Sequence, residues 1–412
     1  MPVLRRGFYV VIAAQFASAL ADNALLLLVI ALLQAQGWEA FWIPLLKLIF
    51  TLSYVAFGPW VGAWSDSQPK HKVMMWANGL KFAAAVSLLA GMNPVAAFAI
   101  TGLGAAIYAP AKYGLITEMT QTEQLVHANA WIEVSAICAA LFGVMLGGAG
   151  VSDAWLNTEA CKNLTKLLPD FSLYAVSIAG VCGLYLVSAL LNTQIPASGK
   201  HYAVNQWHVK VVWKAFYQDQ LALWRDQLGG ISLSVTTLFW GVGACMQLLV
   251  LAWAQQMLDL NLSQAAYLQA STAIGVMAGA VLAARWITLQ AAPGVLKAGF
   301  TLGLALPLML FVRDWQWALL LTLSLGMLSG FFVVPMNAML QARGVQLLSA
   351  GRSIAVQNTC ENASILLMLS GYSLLTYAQW PVRQVILALA TLILLGMGYT
   401  IWRYQQLKLS TA

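Results

Sequence analysis

The chain has 412 residues, 61% of them hydrophobic and 8% charged, with a mean hydropathy of +0.76. A soluble globular domain carries about 25% charged residues, so this composition excludes one and points to a protein that crosses a membrane several times. The formal net charge is +7, and its distribution along the chain, given below, assigns it to membrane orientation rather than to nucleic-acid binding.

Arg5 and Arg6 lead into an apolar run of about 25 residues, longer than a signal h-region and without a clear cleavage site, so the first helix is expected to remain as an anchor. Asp22 and Asn23 stand in the middle of this run, Phe8 to Leu33. A charge at a bilayer centre costs roughly 2.5 kcal/mol or more and normally faces a bundle interior or a water-filled path. Asp22 is therefore a candidate functional group.

Stretches long enough to cross about 30 Å of hydrocarbon run from 7 to 34, 42 to 64, 71 to 91, 95 to 119, 127 to 151, 171 to 195, 229 to 257, 265 to 288, 295 to 312, 316 to 341, 351 to 378 and 383 to 404. Of the 21 Lys and Arg, three (Lys47, Lys81, Lys112) lie away from the ends of the stretches, and four (Lys162, Lys166, Arg313, Arg383) fall in segments or at helix ends on one side. The other fourteen fall on the opposite side, which the positive-inside rule makes cytoplasmic, with both termini there. The expected fold is an all-α integral membrane protein of twelve transmembrane helices in two six-helix bundles, residues 1–195 and 229–412. The polar interval 196–228 is expected to be a cytoplasmic linker with an interfacial helix, on which Val209, Trp213, Phe216 and Trp224 share a face.

The two halves echo each other at an offset of 225 residues. IYAPAKYGL (107–115) lies over FVVPMNAML (332–340), which pairs Pro110 with Pro335 and Lys112 with Asn337. The same offset sets Asp22 on Gln247 and Glu133 on Asn358. Parallel six-helix repeats with a binding site between them near the midplane are one transporter plan. The five cysteines, Cys138, Cys161, Cys182, Cys245 and Cys360, show no Cys-x-x-Cys spacing and read as small apolar packing residues.

Polar groups within the apolar stretches define a candidate site. Asp22 and Glu361 are anions and Lys81 and Lys112 are cations, while Asn23, Gln247, Gln357, Asn358 and Asn362 offer neutral hydrogen bonds. Tyr113 is a candidate lining residue, and Pro110, which lacks an N–H, loosens the helix beside Lys112. Such a set suits an amphiphile with an anionic phosphate, an ammonium and one acyl chain. Structural readings stand beside these: Lys47 snorkels, Glu133 neutralises Lys112, and Lys81 is one member of a buried pair. No Gly-x-Ser-x-Gly, His-x4-Asp or His-Glu-x-x-His occurs, and His71, His127, His201 and His208 fall in loops or at a helix edge, so no catalytic activity is expected. No cofactor is implied.

After the second stretch, Gly62-Ala-Trp-Ser-Asp66-Ser-Gln-Pro-Lys70-His-Lys72 resembles the Gly-x-x-x-Asp and basic-cluster loop of major facilitator superfamily transporters. Gly62 permits close helix contact there, and Asp66 can meet a helix N-terminus or an arginine, with Arg352 the obvious partner. These residues, with Lys70 and Lys72, form the expected cytoplasmic gate. Ala-Asp22-Asn23-Ala-Leu-Leu, Ala109-Pro110-Ala-Lys112-Tyr113-Gly114, Leu238-Phe239-Trp240-Gly241, Gly330-Phe-Phe-Val-Val-Pro335-Met-Asn337 and Ile354-Ala-Val-Gln357-Asn358-Thr-Cys-Glu361-Asn362 narrow the resemblance to the bacterial lysophospholipid transporters. That resemblance implies movement of lysophospholipids, chiefly lysophosphatidylethanolamine, from the periplasmic to the cytoplasmic leaflet of the inner membrane. It also implies a partner acyltransferase/acyl-acyl-carrier-protein synthetase that restores the missing chain. Gln247 stands where enterobacterial members of that family carry Arg. The competing expectation is a facilitator exporting drugs or small amphiphiles against protons, with Asp22 or Glu361 as the protonation switch.

Overall fold

A computed structural model describes residues 6–39, 41–166, 174–200, 202 and 208–411. Arg5, His201, Trp207 and positions 171–173 of the sixth predicted stretch lie outside them. Among the described residues there is no strand. The helices are α1 (Arg6–Ala35), α2 (Trp42–Ser67), α3 (Lys70–Leu89), α4 (Pro94–Met119), α5 (Leu125–Gly150), the short α6 (Asp153–Leu156) and α7 (Glu159–Thr165), and α8 (Ala175–Thr193). They continue as α9 (Val209–Arg225), α10 (Gln227–Met257), α11 (Leu262–Trp286), α12 (Leu296–Ala305), α13 (Trp315–Leu347), α14 (Ala350–Tyr377) and α15 (Val382–Thr411). An apolar environment forces this economy, because a helix satisfies its backbone polar groups within one segment.

Among the described residues, ten helical segments are long and apolar enough to cross a membrane. The predicted stretches 71–91 and 351–378 are helices too, α3 and α14, but fall outside that set. Their polarity is the reason: α3 carries Lys70, His71, Lys72, Asn78 and Lys81, and α14 carries Arg352, Gln357, Asn358, Glu361 and Asn362. The predicted stretch 295–312 is not one α-helix. It passes from α12 into a 3-10 turn, Leu306–Leu310, at Pro307, whose missing N–H cannot continue the α ladder. Turns follow equally local rules. Gly91, at φ +81°, closes α3 with its N–H on the Leu88 carbonyl at 3.1 Å while Met92 N–H reaches the Ser87 carbonyl at 2.9 Å, a Schellman motif that needs a left-handed residue.

The chain divides into two compact units. Unit 1 comprises Met1–Met119, Ser135–Lys214 and Ser349–Asn358, so it includes the first turns of α14. In it α3 packs on α4 and α8, α2 on α4, and α1 on α8. Its apolar core holds Leu25, Leu28, Leu46, Leu88, Phe98 and Ile178. Unit 2 comprises Thr120–Val134, Ala215–Leu348 and Thr359–Ala412. There α11 and α13 lie against each other, and a Cβ on Gly279 or Gly330 would strike the backbone carbonyl of Met327 or Val276, respectively. Trp253, fully buried, donates its indole N–H to the Met309 carbonyl at 2.9 Å, at the C-terminal end of the 3-10 turn, where helical carbonyls run out of internal donors. Asn129 and Gln341 exchange two side-chain hydrogen bonds at 2.8 and 2.9 Å, both nearly buried.

Helix α9 forms within the polar interval. Val212, Phe216 and Leu223 are buried, whereas Val209 and Trp213 are exposed and Trp224 is half-buried. At helical spacing Val209, Trp213, Phe216 and Trp224 fall on one side of α9, next to the buried stripe that runs from Val212.

Candidate functional site

Three helices of unit 1 each carry polar residues at helical spacing in apolar surroundings. They are Gln15, Ser18 and Asp22 on α1, Asn78 and Lys81 on α3, and Tyr185, Ser188 and Asn192 on α8. Steps of three and four residues put each set on one face. The faces meet. Lys81 Nζ donates to Asp22 Oδ2 at 2.7 Å and to Ser18 Oγ at 3.1 Å, and the Tyr185 hydroxyl donates to Asp22 Oδ1 at 2.8 Å. Ser18 Oγ then donates to Asn78 Oδ1, Asn78 Nδ2 to Ser188 Oγ, and Ser188 Oγ to the Ala14 carbonyl, each at 2.7 Å. Every bond after the ammonium points the same way, from cation toward backbone carbonyl. The rings of Tyr108 and Tyr185 flank the ammonium, with centroids at 5.3 and 5.8 Å.

The electrostatics of this cluster are decided by burial. Lys81 is 1% exposed, and the side chain of Asp22 retains 16% exposure. Each charge in such a pair needs the other, because removing one partner leaves an uncompensated buried ion, at a cost of about 3–5 kcal/mol. Asp22 is therefore held ready yet not sealed, and the pair admits exchange of one cation for another more readily than loss of either.

A second cluster lies at the end of α2. The Asp66 carboxylate accepts hydrogen bonds from the Ser349 hydroxyl, from Gly351 N–H at 2.9 Å and from Arg352 N–H at 3.0 Å. Gly351 and Arg352 are the second and third residues of α14, so a side chain from α2 caps that helix at the amides a helix leaves without internal partners. Arg352 meets Asp66 through its backbone amide, and the helix N-terminus is one of the two partners that the sequence offers Asp66. Lys70 Nζ bridges Asp66 at 3.3 Å and Glu118 at 2.8 Å, all three nearly buried, and Ser198 Oγ donates to Glu118 at 2.5 Å. Burial, with Glu118 and Asp66 nearby, pushes the Tyr202 phenol above its ordinary range. A Cβ on Gly62 would stand 2.6 Å from the Ala355 Cβ, so glycine is what lets α2 approach α14. Lys72 is exposed.

Between these clusters, Tyr54, Gly58 and Val61 of α2, Ala106 and Pro110 of α4, and Ala355 and Asn358 of α14 line a small hollow. Pro110 has no N–H for the Ala106 carbonyl four residues earlier, and both members of that broken step face the hollow. Helix α4 nonetheless runs unbroken through it.

The remaining predicted residues are distributed as follows. Lys112 Nζ sits 4.0 Å from the Tyr113 ring centroid. Asn23 turns its amide back to the Ala19 carbonyl at 2.8 Å. Gln357 is buried in unit 1, and Asn358 is half-buried there. Gln247, Glu361 and Asn362 belong to unit 2: Gln247 is exposed, its backbone carbonyl bonded by the Gln269 amide, Glu361 is buried, and Asn362 is half-buried. Sequence reasoning put Asp22 and Lys81 in one candidate site and read Lys81 as one member of a buried pair, but it named no partner for Lys81 and missed Tyr185, Ser18, Asn78, Ser188 and Glu118. The three-and-four spacing of Tyr185, Ser188 and Asn192 in an otherwise apolar helix is the signal that finds the α8 contribution.

The Major Facilitator Superfamily model matches residues 11–369. The lysophospholipid transporter LplT of Yersinia enterocolitica is 38% identical over 383 residues, covering 92% of this chain and 90% of its own length. That of Citrobacter koseri is 36% identical over 403 residues, covering 97% and 96%. Among solved structures, the human organic anion transporter MFSD10 superposes with a TM-score of 0.74 at 15% identity, over 97% of this chain and 100% of that one, a likeness of fold alone. The described residues are accordingly the helices of a multi-pass membrane transporter rather than of an enzyme, and the chain belongs to the major facilitator superfamily and, within it, to the lysophospholipid transporter LplT family.

Proposed function

We propose that the protein moves lysophospholipids, chiefly lysophosphatidylethanolamine, from the periplasmic to the cytoplasmic leaflet of the bacterial inner membrane. Two six-helix bundles, residues 1–195 and 229–412, alternate access around a midplane site, with 196–228 as the cytoplasmic linker and both termini in the cytoplasm. The lipid enters laterally, its headgroup in the polar interior and its acyl chain in the bilayer. An acyltransferase/acyl-acyl-carrier-protein synthetase then uses the delivered lipid.

The observation that carries this reading is the Asp22 carboxylate, held by Lys81 and Tyr185 while keeping 16% side-chain exposure. A cargo ammonium can take the place of one donor there without stranding a charge. Lys112 supplies a cation for the phosphate, Glu361 a second anion, Gln247, Gln357, Asn358 and Asn362 neutral hydrogen bonds, and Tyr113 a lining ring. Asp66, capping α14 and braced by Lys70, is the latch of the cytoplasmic gate, with Gly62 at the helix contact and Arg352 and Lys72 at its rim. Labelled lysophosphatidylethanolamine added outside spheroplasts tests the proposal. Protein-dependent movement to the inner leaflet supports it; a transport-dead protein with active, proton-dependent drug efflux replaces it with the exporter reading.

A further inference from the structure

Beside the Asp22–Lys81 pair lies a second group of polar atoms that the pair does not use. Asn192 is fully buried on α8, and neither its carboxamide oxygen nor its nitrogen is in a hydrogen bond. The Tyr108 hydroxyl, in a residue 5% exposed, faces Ser188, Asn192 and Asn78 without meeting hydrogen-bond geometry with any of them. Buried polar groups are nearly always satisfied, so each exception calls for a partner. Lys81 is the cation at hand: its ammonium lies 5.3 Å from the Tyr108 ring centroid, at the end of a flexible four-carbon stem.

We propose that Lys81 has two seats. In the first it neutralises Asp22, as observed; in the second it donates to the Asn192 carboxamide oxygen and the Tyr108 hydroxyl, leaving Asp22 to an ammonium on the cargo headgroup. The inference rests on Asp22 as the headgroup site and assigns Lys81 as a tethered competitor, with Asn192 and Tyr108 as positioning residues that set its strength. Charge is conserved throughout, since one ammonium replaces another on the same carboxylate and no bare ion is left in the low-dielectric interior. The direction of the existing bonds agrees. Ser18 already donates away from Lys81 to Asn78, and Asn78 to Ser188, so the chain holds together when the ammonium leaves. The device distinguishes cargoes, because a headgroup with an amine gains from a displaced Lys81 and one ending in glycerol does not.

Uptake of labelled lysophosphatidylethanolamine and lysophosphatidylglycerol into spheroplasts, measured as KM and kcat, tests this. Asn192→Leu removes the second seat and should raise KM for the ethanolamine lipid about tenfold, the scale of one hydrogen bond to a charged group, with kcat and the glycerol lipid little changed. Asn192→Asp strengthens the second seat and should lower KM for the ethanolamine lipid. Tyr108→Phe should move KM in the direction of the leucine variant, by less. Opposite signs from one position are not what a purely structural asparagine produces. An unchanged ethanolamine KM in folded Asn192→Leu and Asn192→Asp, or equal shifts for both lipids, would overturn the two-seat assignment while leaving the transport reading intact. Absence of any lysolipid uptake by the wild-type protein would overturn the transport reading and this inference with it.

Discussion

The interiors of the two units are built from different materials. Unit 1 carries through its centre a chain of hydrogen bonds from Tyr185 and Lys81 through Asp22, Ser18 and Asn78 to Ser188, surrounded by an apolar core. Unit 2 is filled mainly by Leu249, Trp253, Leu268, Met309, Ile386 and Met397, with buried polar groups such as the Asn129–Gln341 pair apart from that core, and glycines let α11 and α13 approach. Apolar packing is satisfied by any well-fitted neighbour, but a buried charge network holds only if each member is present. Substitutions should therefore damage unit 1 through specific partners, and unit 2 through volume.

That contrast can be broken most forcefully at Asp22. Asp22→Asn should abolish or severely cut lysophospholipid uptake while expression persists; an Asn variant transporting like wild type would remove the distinction. Trp253→Ala in unit 2 should cost about 3–5 kcal/mol of stability yet leave the ratio of ethanolamine to glycerol uptake unchanged in the surviving protein. Thermal unfolding in detergent together with paired uptake assays reads both quantities.

The gate supplies a medium effect. Asp66→Ala deletes a cap of α14, worth about 0.5–2 kcal/mol, and a change of 1.4 kcal/mol moves a two-state ratio roughly tenfold. Cytoplasmic cysteine labelling should rise and turnover should slow with cargo affinity nearly constant, whereas unchanged labelling would exclude the latch. Gln247→Ala should be milder still, because that side chain is exposed. A loss of transport as deep as that of Asp22→Asn would make Gln247 an equal partner of Asp22 in headgroup binding.

The smallest expected effect concerns Asp226, at the start of α10. Burial alone would raise its carboxyl, but hydrogen bonds from Arg343 and the Gly229 amide outweigh it and hold the group below its ordinary range. A depressed carboxylate stabilises the fold above its unfolded pKa, and this contribution is lost as pH falls through the folded value. The stability difference between wild type and Asp226→Asn should therefore be present near neutrality and shrink below about pH 4. A difference that grows on acidification would contradict the sign.

What was legible in the sequence follows the same contrast. A carboxylate and a lysine in long apolar runs announce themselves by desolvation cost alone, so Asp22 and Lys81 were visible before any coordinates. Tyr185, Ser188 and Asn78 were not, since hydroxyls and amides are tolerated in apolar helices and their pairing joins positions 110 or more residues apart. The Gly62–Asp66 spacing singled out Asp66, but that Asp66 meets backbone amides of α14 depends on where that helix begins, a boundary residue-level patterns locate only loosely. Lys70 read as part of the basic cluster of the expected gate; its burial between Asp66 and Glu118 required the tertiary fold.

The central claim is that the Asp22 carboxylate receives the headgroup amine. Binding of labelled lysophosphatidylethanolamine to purified wild-type and Asp22→Asn protein, with lysophosphatidylglycerol as the reference, measures this without the complication of turnover. The ethanolamine lipid should lose about 10- to 100-fold in affinity, the range of a charge-assisted hydrogen bond, and the glycerol lipid should lose far less. Equal losses for the two headgroups, or none for either, would contradict the assignment.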